Sequence, residues 1–249
     1  MTGDILTDLT CDEIERAAQR MAGSLVASPI IGGFVLSGHA TPANLRVKAD
    51  LLQLSGSTWF RGALHAGVRA LGVWKGVVTH GSVRRQLAQI EVARQHRVPV
   101  VMVLTAEQVE AVGSLLPGIA IEVVVAPLGG EAEQAGRVAR ERGFRLAPTA
   151  ADRDYALGLA TLGLELVREL PAETDRVIVP AAGVAVVLAA ALRVLGSRVS
   201  VVEASIPAPQ LADAARLALR LDLGATSLAA LAMGLATPPE HAACVVLTE

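Results

Sequence analysis

The chain has 249 residues and a formal net charge of −2, with 22 Lys and Arg against 24 Asp and Glu. That balance leaves no basic face for a nucleic acid. Hydrophobic residues make up 52% and aromatics only 2%, so Ala, Val and Leu can fill a large core, in one large domain or two small ones around a cleft.

The N-terminal stretch through Arg20 is acidic and helical in pattern rather than a leader, which predicts a cytoplasmic protein. A helix is expected over 12–22, after Thr10, with Glu13 as its capping-box partner. NLRVKADLLQ (44–53) alternates as a weak strand, SGS (55–57) turns, and RGALHAGVRAL (61–71) is helical. A strand at 76–80, a helix at 81–96 and a buried strand at 98–105 follow. Next come a helix from 106, a strand at 120–127, a helix at 129–143 closed by Gly143, and a short strand at 144–148. A helix at 155–170 stops at Pro171, and a strand at 175–180 leads through an AAGVA turn (181–185) into a helix at 186–196. A strand near 198–205, helices at 211–223 and near 225–235, and a last strand at 243–248 complete the alternation. Apolar runs between helices predict an α/β fold with a mostly parallel sheet. The most apolar stretch, 177–192, is shorter than the ~18 residues of a membrane span and holds Pro180 and Gly183, so no membrane role is expected. Cys11 and Cys244 lack metal or redox spacing, and His39, His65, His96 and His241 lack ligand spacing, so no metal is expected.

Taken in order, VKADLLQLSGSTWFRGALHAGVRAL, GVVTHGSVRRQLAQIEVARQHRVPVVMVL, DYALGLATLGLELVREL, DRVIVPAAGVAVVLAAAL and DLGATSLAALAMGL resemble the fold-type-II pyridoxal-phosphate enzymes, in particular the threonine/serine dehydratase and serine racemase branch. The resemblance runs from SPIIGG to CVVLT. It implies the tryptophan synthase β-like architecture, two mostly parallel α/β sheets flanking a cleft, here shortened at the C-terminus. It also implies a larger domain from 1–48 plus 145–249 and a smaller one from 49–144.

Against that family's pattern, Ser55, Gly56, Ser57, Arg61, Gly62 and Ala63 match, but Thr58 stands in a phenylalanine slot and Trp59 in the slot of the lysine that forms the imine with the cofactor. An indole N–H donates a hydrogen bond and forms no imine. The only lysines, Lys48 and Lys75, read as solvated side chains. The family's glycine-rich phosphate loop is matched by Ala181, Ala182, Gly183, Val184 and Ala185; a β-branched residue there resists a left-handed backbone, and the methyls fill the phosphate volume. The S-x-G-N-H loop is matched by Gly81, Ser82, Val83, Arg84 and Arg85. The chain stops at CVVLTE, before the family's S-G-G-N, and the stretch between VVEASIPAPQ and LADAARLA is short. These departures predict a protein without pyridoxal phosphate.

What remains is a candidate cleft of Ser55, Ser57, Trp59, Thr79, His80, Ser82, Arg84 and Arg85. Trp59 either packs into vacated volume or offers a stacking platform. His80 is an acid–base candidate or part of a structural polar loop, and Arg84 and Arg85 either grip an anion or lie on a solvated helix face. The expected function is a pseudoenzyme acting as a partner, regulator or sensor of a small anionic ligand, as a homodimer or a heterodimer with an active paralogue. The alternatives are an enzyme with other chemistry on a small anionic substrate and, last, a dehydratase using a relocated Lys48 or Lys75.

Overall fold

The computed structural model describes residues 8–32, 35–36, 39–40, 43–70, 74–113, 121–204, 225–238 and 240–247. Helix α1 (Cys11–Arg20) starts at Thr10, whose hydroxyl accepts from the Glu13 amide while the Glu13 carboxylate accepts from Thr10, completing the expected capping box. Strands β1 (Ile30–Gly32), β2 (Val35–Leu36), β3 (His39–Ala40) and β4 (Leu45–Lys48) follow, and a 3-10 turn (Asp50–Leu52) leads to α2 (Trp59–Ala70). Then come β5 (Val77–Thr79), α3 (Val83–Gln95), β6 (Val100–Leu104), α4 (Ala106–Gly113) and β7 (Glu122–Val125). Helix α5 (Glu131–Arg142), β8 (Arg145–Leu146), α6 (Arg153–Glu169), β9 (Thr174–Val179) and α7 (Ala182–Val194) precede β10 (Ser200–Glu203), α8 (Ala225–Leu235) and β11 (Ala242–Val246).

The strands form two principal sheets. One has the order β1-β4-β11-β9-β10, parallel except for the β1–β4 pair; the other, β7-β6-β5-β8, is parallel throughout. Valine runs such as Val100–Leu104 are buried between helices, as a parallel sheet requires. No helix among the described residues is long and apolar enough to cross a membrane.

The α6 helix is the hub. It packs against α1, α2 and α7 and buries Tyr155, Leu159 and Leu162 completely or nearly so. It crosses α2 closely enough that a Cβ on Gly158 would stand 2.3 Å from the Arg61 carbonyl oxygen, and one on Gly62 would run into the Tyr155 ring. Glycine is therefore required at both positions, and the crossing fixes the first turn of α2 against α6.

Two local readings change. The weak strand at 44–53 stops at Lys48, and the 3-10 turn swings Asp50 into the interior. The AAGVA turn is the first turn of α7: Ala181 is its N-cap in extended geometry, the helix starts at Ala182, and none of 181–185 takes a positive φ. An Ala-rich stretch with a single glycine gains more from α-helix than from a strained left-handed loop. The helix expected at 211–223 and the short stretch before it lie outside the described residues.

Candidate functional site

The first half of the site is the turn into α2. Gly56 takes φ +71 and its amide donates to the Gln53 carbonyl at 2.7 Å, turning the chain so that the Trp59 amide meets the buried Ser57 hydroxyl at 3.3 Å. Trp59 is half-buried, packed between the core around α6 and the core around β9 and α7. The Tyr155 hydroxyl donates to the Trp59 carbonyl at 3.1 Å, and the two rings stand 6.4 Å apart at 41°. At its far edge the indole covers the start of α7: a Cβ on Gly183 would lie 3.1 Å from Trp59 Cη2 and 3.5 Å from the Ala150 Cβ. Trp59 and the 181–185 segment are thus brought together. The Ser55 hydroxyl oxygen is buried without a hydrogen-bond partner.

The second half is the turn from β5 into α3. Thr79 is 1% exposed and its hydroxyl has no partner. The His80 carbonyl accepts from Arg85, and the Gly81 carbonyl accepts from Gln86 at 2.9 Å and Gln108 at 3.1 Å. Gly81 takes φ +98, and a Cβ there would sit 2.4 Å from the Arg85 guanidinium, so the turn needs its glycine. With its carbonyls clamped by three side chains, the turn leads into a helix whose N-cap, exposed Ser82, makes no side-chain capping bond. Arg85 therefore folds back on its own turn, and Arg84 is half-buried and also engaged. Burial lowers the His80 imidazole below its ordinary value; the Arg85 charge adds to the shift and Glu131 opposes it. Burial pushes the Tyr155 phenol up, and the Arg85 charge opposes that shift.

Two participants escape the sequence. Gln86 is fully buried with its Oε1 unpartnered, and Gln89 donates to the Pro148 carbonyl at 3.0 Å. Their signal is polar residues spaced three apart on the helix face that also carries Ile90 and Ala93.

Beneath α2 lies a charge cluster. Arg61, fully buried, holds Asp50 through Nη2–Oδ1 at 2.7 Å and Nε–Oδ2 at 3.0 Å, and Glu165 through Nη1–Oε1 at 2.7 Å and Nη2–Oε2 at 3.0 Å. Lys48, also fully buried, donates to the Ser28 carbonyl at 2.6 Å and pairs with Glu165 at 2.7 Å and Glu169 at 2.9 Å. Burial alone would raise the Asp50 carboxyl, but the charge and hydrogen bonds of Arg61 outweigh it and pull it down to about 2. The reading of Lys48 as solvated is corrected: Glu165 and Glu169, one turn apart on α6, compensate its charge inside. Lys75 is exposed.

No family model matches the chain, and no curated protein matches it in sequence. Solved structures match it nearly end to end. A pyridoxal 5'-phosphate-dependent aspartate racemase is similar with a TM-score of 0.80 and 19% identity, over 97% of this chain and 95% of that one. Maize serine racemase is similar with a TM-score of 0.75 and 20% identity, over 96% of this chain and 94% of that one. A T.th. threonine deaminase is similar with a TM-score of 0.76 and 19% identity, over 96% of this chain and 97% of that one. The chain thus has the α/β fold of the fold-type-II pyridoxal-phosphate enzymes, and at these identities the likeness is one of fold.

The expectation of a chain without pyridoxal phosphate is overturned by these neighbours, whose shared fold points toward the cofactor rather than away from it. The side chains do not fit an imine-linked form of it. Trp59 has no amine, the Lys48 amine is held by three oxygens in the interior, and the Trp59 indole lies over the first turn of α7.

Proposed function

We propose that this chain is a catalytically degenerate, threonine dehydratase-like protein that holds a small anionic ligand, a carboxylate in particular, without a covalent bond. The ligand would sit at the Thr79–Arg85 turn. The observation that carries this is the Thr79 hydroxyl, buried and unpartnered just before the uncapped N-terminus of α3. A buried unmade hydrogen bond costs about 1–3 kcal/mol, and a helix N-terminus attracts negative charge through its free N–H groups. A carboxylate there would answer both, with Arg84 and Arg85 adding positive charge nearby. In this reading Trp59 takes the position that resembles the family's imine-forming lysine and walls the cleft.

The protein would act as a regulator or partner, as a homodimer or beside an active paralogue. Val26, Leu52 and Leu54 support an interface, being 37%, 48% and 59% exposed around the Gln53 amide that bridges the two segments. A second reading, acid–base chemistry on a small anionic substrate, is favoured by His80, whose lowered affinity for a proton keeps a neutral imidazole in the turn at pH 7.

Amide NMR titration with acetate and succinate tests the proposal. Shifts should centre on residues 79–86, and Thr79→Val should weaken binding by about tenfold while the fold stays intact. Shifts elsewhere, or equal binding by the variant, would refute the site. Loss of a catalysed turnover in His80→Ala, with ligand binding kept, would favour the second reading.

A further inference from the structure

A cavity lies apart from the turn and from Trp59, none of whose residues line it. Helix α7 starts at the C-terminal end of β9, under Trp59. This cavity is at the opposite end of the same layer, where α6 and α7 finish and β9 and β10 are about to begin. Its volume is about 410 Å³, within the range of ~300–1,000 Å³ typical of small-molecule sites.

The lining divides by chemistry. Leu166, Leu170, Leu192 and Leu195 supply an aliphatic floor, to which Leu166 and Leu192 contribute fully buried or nearly buried side chains. The charged groups belong to the two segments that enter the strands: Glu173 before β9 and Arg198 before β10. Neither forms an ion pair or side-chain hydrogen bond among the described residues, and they do not pair with each other. This contrasts with Asp175 on the same wall, whose carboxylate is already taken by His241 at 2.7 Å and Arg176 at 3.2 Å. Among the described residues the cavity therefore offers one carboxylate and one guanidinium without partners, over an apolar floor between helices.

We infer that this cavity is a binding site for a small aliphatic zwitterion. Its ammonium group would meet Glu173, its carboxylate would meet Arg198, and its hydrocarbon part would cover the leucines. A guanidinium takes a carboxylate bidentately, whereas an ammonium is met as a point charge; burying the aliphatic part adds the non-directional share. A ligand lacking any one of the three parts leaves one feature of the cavity unanswered. The inference is independent of the reading of the cleft, because it uses none of the same residues.

Calorimetric titration of the full chain with four probes tests it: leucine, 3-methylbutylamine without the carboxylate, 4-methylpentanoate without the ammonium, and glycine without the hydrocarbon. Leucine should bind, and each of the other three should bind about tenfold more weakly or not at all. Glu173→Gln and Arg198→Gln, both at exposed positions that leave the fold alone, should each weaken leucine by about tenfold. All four titrations are repeated in the Thr79→Val background, where carboxylate binding at the cleft is weakened, so that the binding read there belongs to this cavity. Equal binding of all four probes, no binding of leucine at millimolar concentration, or undiminished binding by the two variants would overturn the assignment.

Discussion

The charge cluster beneath α2 and the turn between β5 and α3 are both polar and both largely buried, yet they are finished to different degrees. In the cluster, Arg61 and Lys48 are answered by Asp50, Glu165 and Glu169, and their charges meet at distances of 2.7–3.0 Å. At the turn, the backbone carbonyls of His80 and Gly81 are fully engaged while Thr79 Oγ1 and Gln86 Oε1 have no partner. A fold tolerates a buried charge only with its partners in place. Buried polar atoms are nearly always partnered, so the two at the turn call for an explanation. The cluster is thus complete within the chain, whereas the turn, where the ligand is proposed to sit, is not.

The sharpest way to break that division is Arg61→Ala. It leaves Asp50 buried without its counter-charge, with the Ser28 and Gln53 hydrogen bonds remaining, and should cost about 3–5 kcal/mol in urea unfolding; a loss near that of an exposed salt bridge would mean the cluster does not hold the fold. Trp59→Ala comes next. Removing an indole wedged between Tyr155 and Gly183 should cost about 2–3 kcal/mol, readable as a lower melting temperature with amide shifts confined to the starts of α2 and α7.

The pH dependence follows from Asp50, whose folded value is depressed to about 2 from the ordinary ~3.9 of the unfolded chain. Its contribution is fully present above the unfolded value and is lost as pH falls from ~4 towards ~2, about 2–3 kcal/mol in all. Unfolding free energies measured across that window should fall with acid in the native protein. In Asp50→Asn, a less stable protein, the slope should be shallower; equal slopes would remove Asp50 from the account. The smallest effect is expected from Thr79→Val, which replaces an orphaned hydroxyl with a methyl of similar shape. Stability should stay within about 1 kcal/mol or rise slightly. A clear loss would mean that the hydroxyl has a structural partner after all.

Much of the fold was legible because it rests on local pattern. The Thr10–Glu13 cap, the valine strands and the Gly143 stop, where the backbone takes φ +65, are all set by residues within a few positions of one another. The start of α7 was not, because a glycine-bearing segment after a strand suits either a loop or a helix, and the likeness to a glycine-rich loop outweighed the helix propensity of its alanines. Lys48 was misread for a different reason: nothing near it in sequence announces Glu165 and Glu169, which arrive only when α6 folds across β4. The candidate site was half legible. Thr79, His80, Arg84 and Arg85 do share one turn, but the glutamines that complete it reveal themselves only as polar residues on an apolar helix face.

The central claim, that the cleft binds without making a covalent bond, is tested most directly by offering the purified chain pyridoxal phosphate, reducing with borohydride, and reading intact mass and modified peptides. The account predicts no stoichiometric adduct, because Trp59 carries no amine and the Lys48 amine is held by Ser28, Glu165 and Glu169. Cofactor that associates without a bond would show in the same samples as a thermal shift with unchanged mass, and is compatible with the account. A stoichiometric adduct on Lys48 or Lys75 would contradict it.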